Sequence, residues 1–331
     1  MSGVKTVPVH KDDAGIRIDR WFKRHYPGLS FGRMQKMMRK GEVRLDGKRV
    51  KGDERIEPGQ MIRVPPIDDA DAADADYTAP KREPKRLMSD AEIKEVQSWV
   101  LYRDDDVIAI NKPAGLPTQG GTGQTKHLDG MLDALRFGSH HRPRLVHRLD
   151  KDTSGVLLLG RTPNAAAALA NAFKTKETDK RYWALVIGCP KQRDGRIILK
   201  MSKAPIKGNE RMVVSSDGQH SLTDYVVVDN ASAEAAWFAL KPHTGRTHQL
   251  RLHCAEMGHP IVGDGKYGGA EAFLSGSISK KLHLHSQSVS FPHPSGGRMT
   301  VSAPLSAHMA ASFEMLGFDI SEYEDPLIDG E

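Results

Sequence analysis

Four apolar residues, Val156-Leu157-Leu158-Leu159, closed on both sides by Gly155 and Gly160, constrain the fold of this chain more than any other stretch. The run is too short for a helix and shows no polar alternation, so it predicts a strand buried on both faces. The residues leading into it are His147-Arg148-Leu149-Asp150-Lys151-Asp152-Thr153-Ser154-Gly155. A loop packed onto a buried strand is a rigid platform. Here it carries a carboxylate, Asp150, between two cations, Arg148 and Lys151. A carboxylate with cationic neighbours stays ionised and can act as nucleophile or base. Asp150 also reads as one half of a structural ion pair.

Around this platform the pattern is α+β. Ser89 with Glu92 forms a capping box for a brief helix. Strands are predicted at Val100–Tyr102 and Val107–Asn111, with a solvated turn at Asp104–Asp106 between them. The rigid loop Asn111-Lys112-Pro113-Ala114-Gly115-Leu116-Pro117 follows. Gly120-Gly121-Thr122-Gly123 lacks the spacing of a nucleotide-binding loop. A helix is predicted over Leu128–Phe137, and another over Ala165–Lys174 with Pro163 at its start. Strands follow at Lys180–Val186, Ser221–Val228 and Glu234–Lys241, with hairpin-like sequence over 189–220. After a turn at Gly245, a helix is predicted from Thr247 to Met257. Leu282–Val289 and Met299–Val301 fit strands, and Pro304–Leu316 a closing helix. Residues 318–331 are acidic and predicted to fray.

Charge is distributed unevenly. Residues 1–66 hold 16 Lys+Arg against 8 Asp+Glu, a net +8, within a chain whose total is +6. That is the footprint of a nucleic-acid-binding module on a nearly neutral body. An amphipathic helix is predicted to begin at Ile16, Ile18, Trp21 and Phe22. A second, Phe31–Arg39, is capped by Ser30 and stopped by Gly41. Arg33, Lys36, Arg39 and Lys40 recur at three- and four-residue spacing and form a stripe suited to phosphates. Asp46-Gly47 marks a hairpin, and Met61–Val64 a strand. Residues 67–88, with five aspartates in 68–76, read as a flexible linker with no site of its own.

Three strings carry a family resemblance. The loop His147–Gly155 resembles the catalytic loop of the RNA pseudouridine synthases of the large-subunit ribosomal RNA type. Lys180-Arg181-Tyr182-Trp183-Ala184-Leu185-Val186 and Thr244-Gly245-Arg246-Thr247-His248-Gln249-Leu250-Arg251-Leu252-His253 are similar to two further motifs of that family, in the same order. Met38–Lys48, within the basic module, is similar to an S4 RNA-binding domain. The resemblance implies a mixed, mainly antiparallel sheet with the site in a cleft across it. It implies that Asp150 is the catalytic carboxylate, that Tyr182 lies against the target base, and that Arg251 ion-pairs with Asp150. It further implies that Arg148 fills the place a flipped nucleotide leaves, in a substrate that is large-subunit ribosomal RNA. Lys112 sits in a loop that flanks the active site in the family, and is expected to be structural or RNA-facing. Without the resemblance, Tyr182 reads as core packing.

The domains expected are 1–66, an S4-like RNA-binding domain; 67–88, the linker; 89–317, the catalytic domain; and 318–331, the tail. Isomerisation needs no redox cofactor, so none is expected. Clustered histidines (His243, His248, His253 and His259) lack metal-ligand spacing, so no metal site is expected either. With two cysteines and neither an apolar leader nor an 18-residue apolar run, the sequence suggests a cytoplasmic protein that crosses no membrane. The sequence leaves oligomeric state open, and a monomer is the expectation. The rival reading is a non-enzymatic RNA-binding or ribosome-assembly factor whose S4 module is its active part.

Overall fold

The structure is a computed structural model, and it describes residues 3–67, 88–120, 126–206 and 209–321, with Tyr323, Asp325 and Leu327. The expected linker, apart from its two end residues, and most of the Gly120–Gly123 stretch lie outside the described residues. Internal contacts divide the chain into two units, Met1–Leu87 and Met88–Glu331.

In the first unit, β1 (Lys5–Pro8), α1 (Ile18–His25), α2 (Phe31–Lys40), β2 (Arg44–Leu45), β3 (Lys48–Arg49) and β4 (Met61–Val64) follow in order. The strands form an antiparallel sheet in the order β1-β4-β2-β3. The Ser30 hydroxyl accepts from the Arg33 amide at 3.3 Å to cap α2. Gly41 ends that helix in the left-handed conformation. Met34, Met37 and Met38 face the core beside Trp21 and Phe22. Arg33, Lys36, Arg39 and Lys40 therefore lie on the exposed face of α2, where the 3.6-residue period puts them. This small antiparallel sheet with two helices agrees with the S4 likeness.

The second unit begins with α3 (Asp90–Ser98), β5 (Val100–Arg103), β6 (Val107–Lys112), α4 (Leu128–Met131), β7 (Arg144–Leu145), β8 (Ser154–Gly160) and α5 (Pro163–Thr175). It continues with β9 (Asp179–Ile187), β10 (Asp194–Ile206), β11 (Asn209–Val214), β12 (Gln219–Ala231), β13 (Ala235–Pro242) and α6 (Gln249–Glu256). It ends with β14 (Leu284–Pro292), β15 (Arg298–Ser302) and α7 (Ala307–Leu316). The strands make one sheet in the order β11-β10-β12-β13-β9-β14-β8-β6-β5, with β15 on β14 and β7 on β8. Only β8 and β14 pair in parallel among the described residues, so the sheet is mixed and mainly antiparallel.

β8 is the apolar run read from the sequence, and every one of its residues is buried. It lies between β6 and β14. Gly155 is required there, because a Cβ would collide with the Ser286 carbonyl of β14. The expectations for one helix and for the tail differ from the structure. The helix predicted over Leu128–Phe137 is shortened to α4 and a 3-10 segment, Leu132–Leu135. Gly130 weakens it, and Arg142 takes both the Asp129 carbonyl and the Asp133 carboxylate. In the acidic tail, the described residues dock instead of fraying. Tyr323 stacks on Trp237 at 5.3 Å, and Arg181 of β9 donates to Asp325 at 2.7 Å and to the Leu327 carbonyl at 2.6 Å. Buried aromatic area and a two-point guanidinium contact offset the entropy of ordering these residues.

Candidate active site

Asp150 is held from both chain directions. One residue before it, the Thr118 hydroxyl donates to the Leu149 carbonyl at 2.7 Å and accepts from the Leu149 amide at 3.3 Å. One residue after it, the Lys151 carbonyl accepts from the Gly115 amide at 2.9 Å and from Lys112 Nζ at 3.1 Å. The Pro- and Gly-fixed loop after β6 thus clamps the platform on either side of the carboxylate. His147 adds an anchor: its Nε2 accepts the Leu158 amide of β8 at 2.8 Å, and its ring stacks on Phe173 at 4.2 Å. Burial pushes the His147 pKa down to about 3, so the ring stays neutral and can keep accepting.

Lys112 was expected to be structural or RNA-facing, and the structure places it inside. It is 0% exposed, and its ammonium also donates to the Pro113 and Leu116 carbonyls at 2.9 and 2.8 Å. Three carbonyl acceptors satisfy its three donors. Burial pushes its pKa down to about 7, against the pull of Asp152 and Asp150.

Asp150 lines a cleft of about 470 Å3 with Arg148, Tyr182, Arg246, His248 and Arg251. Lys174, Lys176 and Lys180 line the same cleft, so it carries positive charge suited to a polyanion. Arg148 is exposed, and Tyr182 is half-buried on β9. Burial, reinforced by the charge of Asp150, pushes the Tyr182 phenol up to about 12, and it stays neutral.

Arg251 does not make the expected ion pair with Asp150. Its guanidinium closes bidentately on Asp264, at 2.7 and 2.6 Å, with both groups buried. Asp264 is 1% exposed and accepts only, so leaving it without a cation would cost more than leaving the partly exposed Asp150. Arg251 still acts on Asp150 through its field, since the two charges interact.

A ring that the sequence did not assign to the site approaches Asp150. His248 Nε2 lies 4.0 Å from Asp150 Oδ2, and His248 Nδ1 lies 2.8 Å from the Tyr267 hydroxyl. The predicted helix start at Thr247 moves to Gln249, because His248 takes the left-handed conformation, φ 53° and ψ 24°. A non-glycine residue held there stores roughly 1–3 kcal/mol, a cost typical of functional loops. The residues sequence reasoning missed are thus Thr118, His248, Asp264 and Tyr267. The available signal was Gly263-Asp264-Gly265-Lys266-Tyr267, a loop with no role assigned to its acid or its phenol.

The other clustered histidines separate. His243 meets Asp224 at 2.7 Å, His253 meets Ser221 at 2.7 Å and His259 meets the Ile187 carbonyl at 2.8 Å. Among the described residues, no group of three or more His, Cys, Asp or Glu is placed to hold a metal ion. Nor is any described helix long and apolar enough to cross a membrane.

Comparison with known proteins adds the following. The family described as RNA pseudouridylate synthase matches residues 106–256, a stretch that contains Asp150, Tyr182, His248 and Arg251. The RNA pseudouridine synthase 4, mitochondrial, of Arabidopsis thaliana is 36% identical over 96% of this chain and 82% of its own length. The Ribosomal large subunit pseudouridine synthase C of Vibrio cholerae is 34% identical over 92% of this chain and 95% of its own. Among solved structures, the human RNA Pseudouridylate Synthase Domain Containing 4 superposes with a TM-score of 0.59 at 26% identity, covering 70% of this chain and 97% of that one.

Proposed function

The chain belongs to the RNA pseudouridine synthases, and we propose that it isomerises uridines of large-subunit ribosomal RNA with Asp150 as its reacting carboxylate. The observation that carries the assignment is that Asp150 and Tyr182, far apart in sequence, line one cleft of nucleotide size. The ribosomal substrate is supported by the bacterial relatives, whose names specify the large subunit and whose alignment runs through most of the chain.

Isomerisation breaks the N1–C1′ bond of uridine, turns the uracil and rejoins it through C5. No atom is gained or lost, so the reaction calls for no redox cofactor. The site needs a carboxylate at the junction of sugar and base, cations around it, and a flat wall for the detached uracil. Asp150 supplies the first. Arg251 and the other cations of the cleft supply the second, Arg251 acting from its pair with Asp264. A neutral Tyr182 supplies the third. The uridine must leave its stack to enter, at a cost of a few kcal/mol. Arg148, exposed two residues before Asp150, can stack its planar guanidinium in the vacated place.

In this reading residues 1–66 are an S4-type RNA-binding domain, with Arg33, Lys36, Arg39 and Lys40 toward phosphates. Residues 67–88 tether it to the catalytic domain, 89–317, which the 318–331 segment follows. The enzyme works as a monomer in the cytoplasm; one relative is named as mitochondrial.

Asp150→Asn tests the assignment, because the amide keeps the shape and loses nucleophilic and basic character. Turnover should fall below about a thousandth of wild type, ~4 kcal/mol of transition-state stabilisation, with RNA still bound. Retained turnover overturns the role of Asp150. Release of free uracil overturns isomerisation in favour of hydrolysis. Unchanged pseudouridine in the ribosomal RNA of cells lacking the gene overturns the substrate.

A further inference from the structure

We infer that His248 is a positioning residue for Asp150, with its tautomer set by Tyr267. The inference rests on the reading of Asp150 as the reacting carboxylate. The Tyr267 hydroxyl accepts from the Met212 amide of β11 at 3.3 Å, and its other neighbour is His248 Nδ1 at 2.8 Å. An amide N–H only donates, so the phenol's own proton is free for Nδ1. With Nδ1 accepting, the imidazole proton sits on Nε2, the atom 4.0 Å from Asp150 Oδ2. The reverse tautomer would aim an Nε2 lone pair at a carboxylate. Assigned from this geometry, the chain of donors runs Met212 amide, Tyr267 phenol, His248 ring, Asp150 carboxylate.

Burial disfavours the imidazolium, and the charges of Arg251 and Lys266 disfavour it further, while Asp150 and Asp264 oppose them. His248 thus meets Asp150 as a neutral donor. The 4.0 Å separation is about 1 Å beyond hydrogen-bond length, and catalytic hydrogen bonds are commonly long in the free enzyme and tighten when substrate binds. The left-handed backbone of His248, just before α6, aims the ring into the cleft. Tyr267 is fixed in turn by Arg211 and Arg251, which lie over its ring at 4.8 and 5.2 Å.

Two substitutions separate this role from a backbone role. His248→Gln keeps an N–H donor near the position of Nε2 but suits the left-handed conformation poorly. His248→Asn suits that conformation best and has no donor that reaches Asp150. Positioning of Asp150 requires Gln to retain the higher single-turnover rate on a uridine-containing ribosomal stem-loop. Asn should fall by roughly 10- to 100-fold, the size seen when a partner that orients a reacting group is removed. Tyr267→Phe should also lose rate, and adding it to His248→Gln should cost little more, because an amide has no tautomer to set. The dissociation constant for the stem-loop should stay within about twofold of wild type throughout. Asn equal to or faster than Gln, wild-type rates in Tyr267→Phe, or losses confined to affinity overturn the inference. Asp150→Asn, run alongside, keeps the two readings apart. If it is inactive while the His248 variants match wild type, only the His248 role fails. If it is active, the reading of Asp150 has failed first.

Discussion

Lys112 Nζ donates to the Lys151 carbonyl at 3.1 Å, one residue beyond Asp150. Of the two roles expected for this cation, RNA-facing or structural, the structure shows the structural one: it ties the loop after β6 to the platform that carries Asp150. Lys112→Met keeps the bulk and removes all three donors. The Lys151 carbonyl retains the Gly115 amide, so Pro113 and Leu116 are left with orphaned carbonyls. At about 1–3 kcal/mol for each orphaned group, urea unfolding should show a loss of roughly 3 kcal/mol. Turnover should fall with little change in the salt dependence of RNA binding. Weaker binding and a flatter salt slope at unchanged stability would place the ammonium on RNA.

The Arg251–Asp264 pair makes a second claim on stability. Removing one partner of a buried pair leaves the other charge uncompensated, at a cost of about 3–5 kcal/mol. Asp264→Asn and Arg251→Met should each show that loss. The double variant should lose less than the two singles combined, because no lone charge remains. Strict additivity in denaturant melts would show that the two groups are stabilised independently.

What the sequence made legible follows from how each feature is encoded. The burial of β8 was readable because a strand covered on both faces must be apolar throughout, and Val156–Leu159 is. The stripe on α2 was readable because a helix has one period. That Asp150 and Tyr182 line one cleft was readable because their strings carry a family pattern. The partner of Arg251 was not, since the choice between Asp150 and Asp264 depends on which carboxylate lies deeper. His248 was not, since a left-handed non-glycine residue leaves no compositional mark. The shortened α4 was not, because Arg142 competes from outside the helix.

Acid should destabilise this fold through its buried histidines. Burial holds His253, His283 and His285 at about 4, against an ordinary value near 6.5. Each is neutral in the folded chain and takes up a proton near pH 6.5 once unfolded. The unfolded state therefore binds more protons between about pH 6.5 and 4, and stability falls as pH drops through that window. Each histidine should remove roughly 1–2 kcal/mol by about pH 5. Urea midpoints at about pH 7.5, 6 and 5 check this. A flat profile would require these rings to be protonated in the folded protein. His285→Asn should flatten the profile by one histidine's share, because its hydrogen bonds to Ser154 and the Ala303 carbonyl are then made by a group that does not titrate.

The basic face of α2 predicts a salt effect that leaves chemistry alone. Arg33, Lys36, Arg39 and Lys40 are exposed while Met34, Met37 and Met38 carry the packing, so four changes to Gln should leave the fold intact. Each phosphate left without its cation should lower the slope of log affinity against log salt by roughly 0.7 to 0.9. Four such phosphates would lower it by about 3 on long ribosomal RNA. Lys40 lies 3.7 Å from Glu42, so its share should be reduced. Asp150, Tyr182 and His248 belong to the other unit, and turnover of a short stem-loop at saturating concentration should be unchanged. An unchanged slope on long RNA would mean that the stripe is only a solvated surface and that the cations around Asp150 hold the substrate unaided.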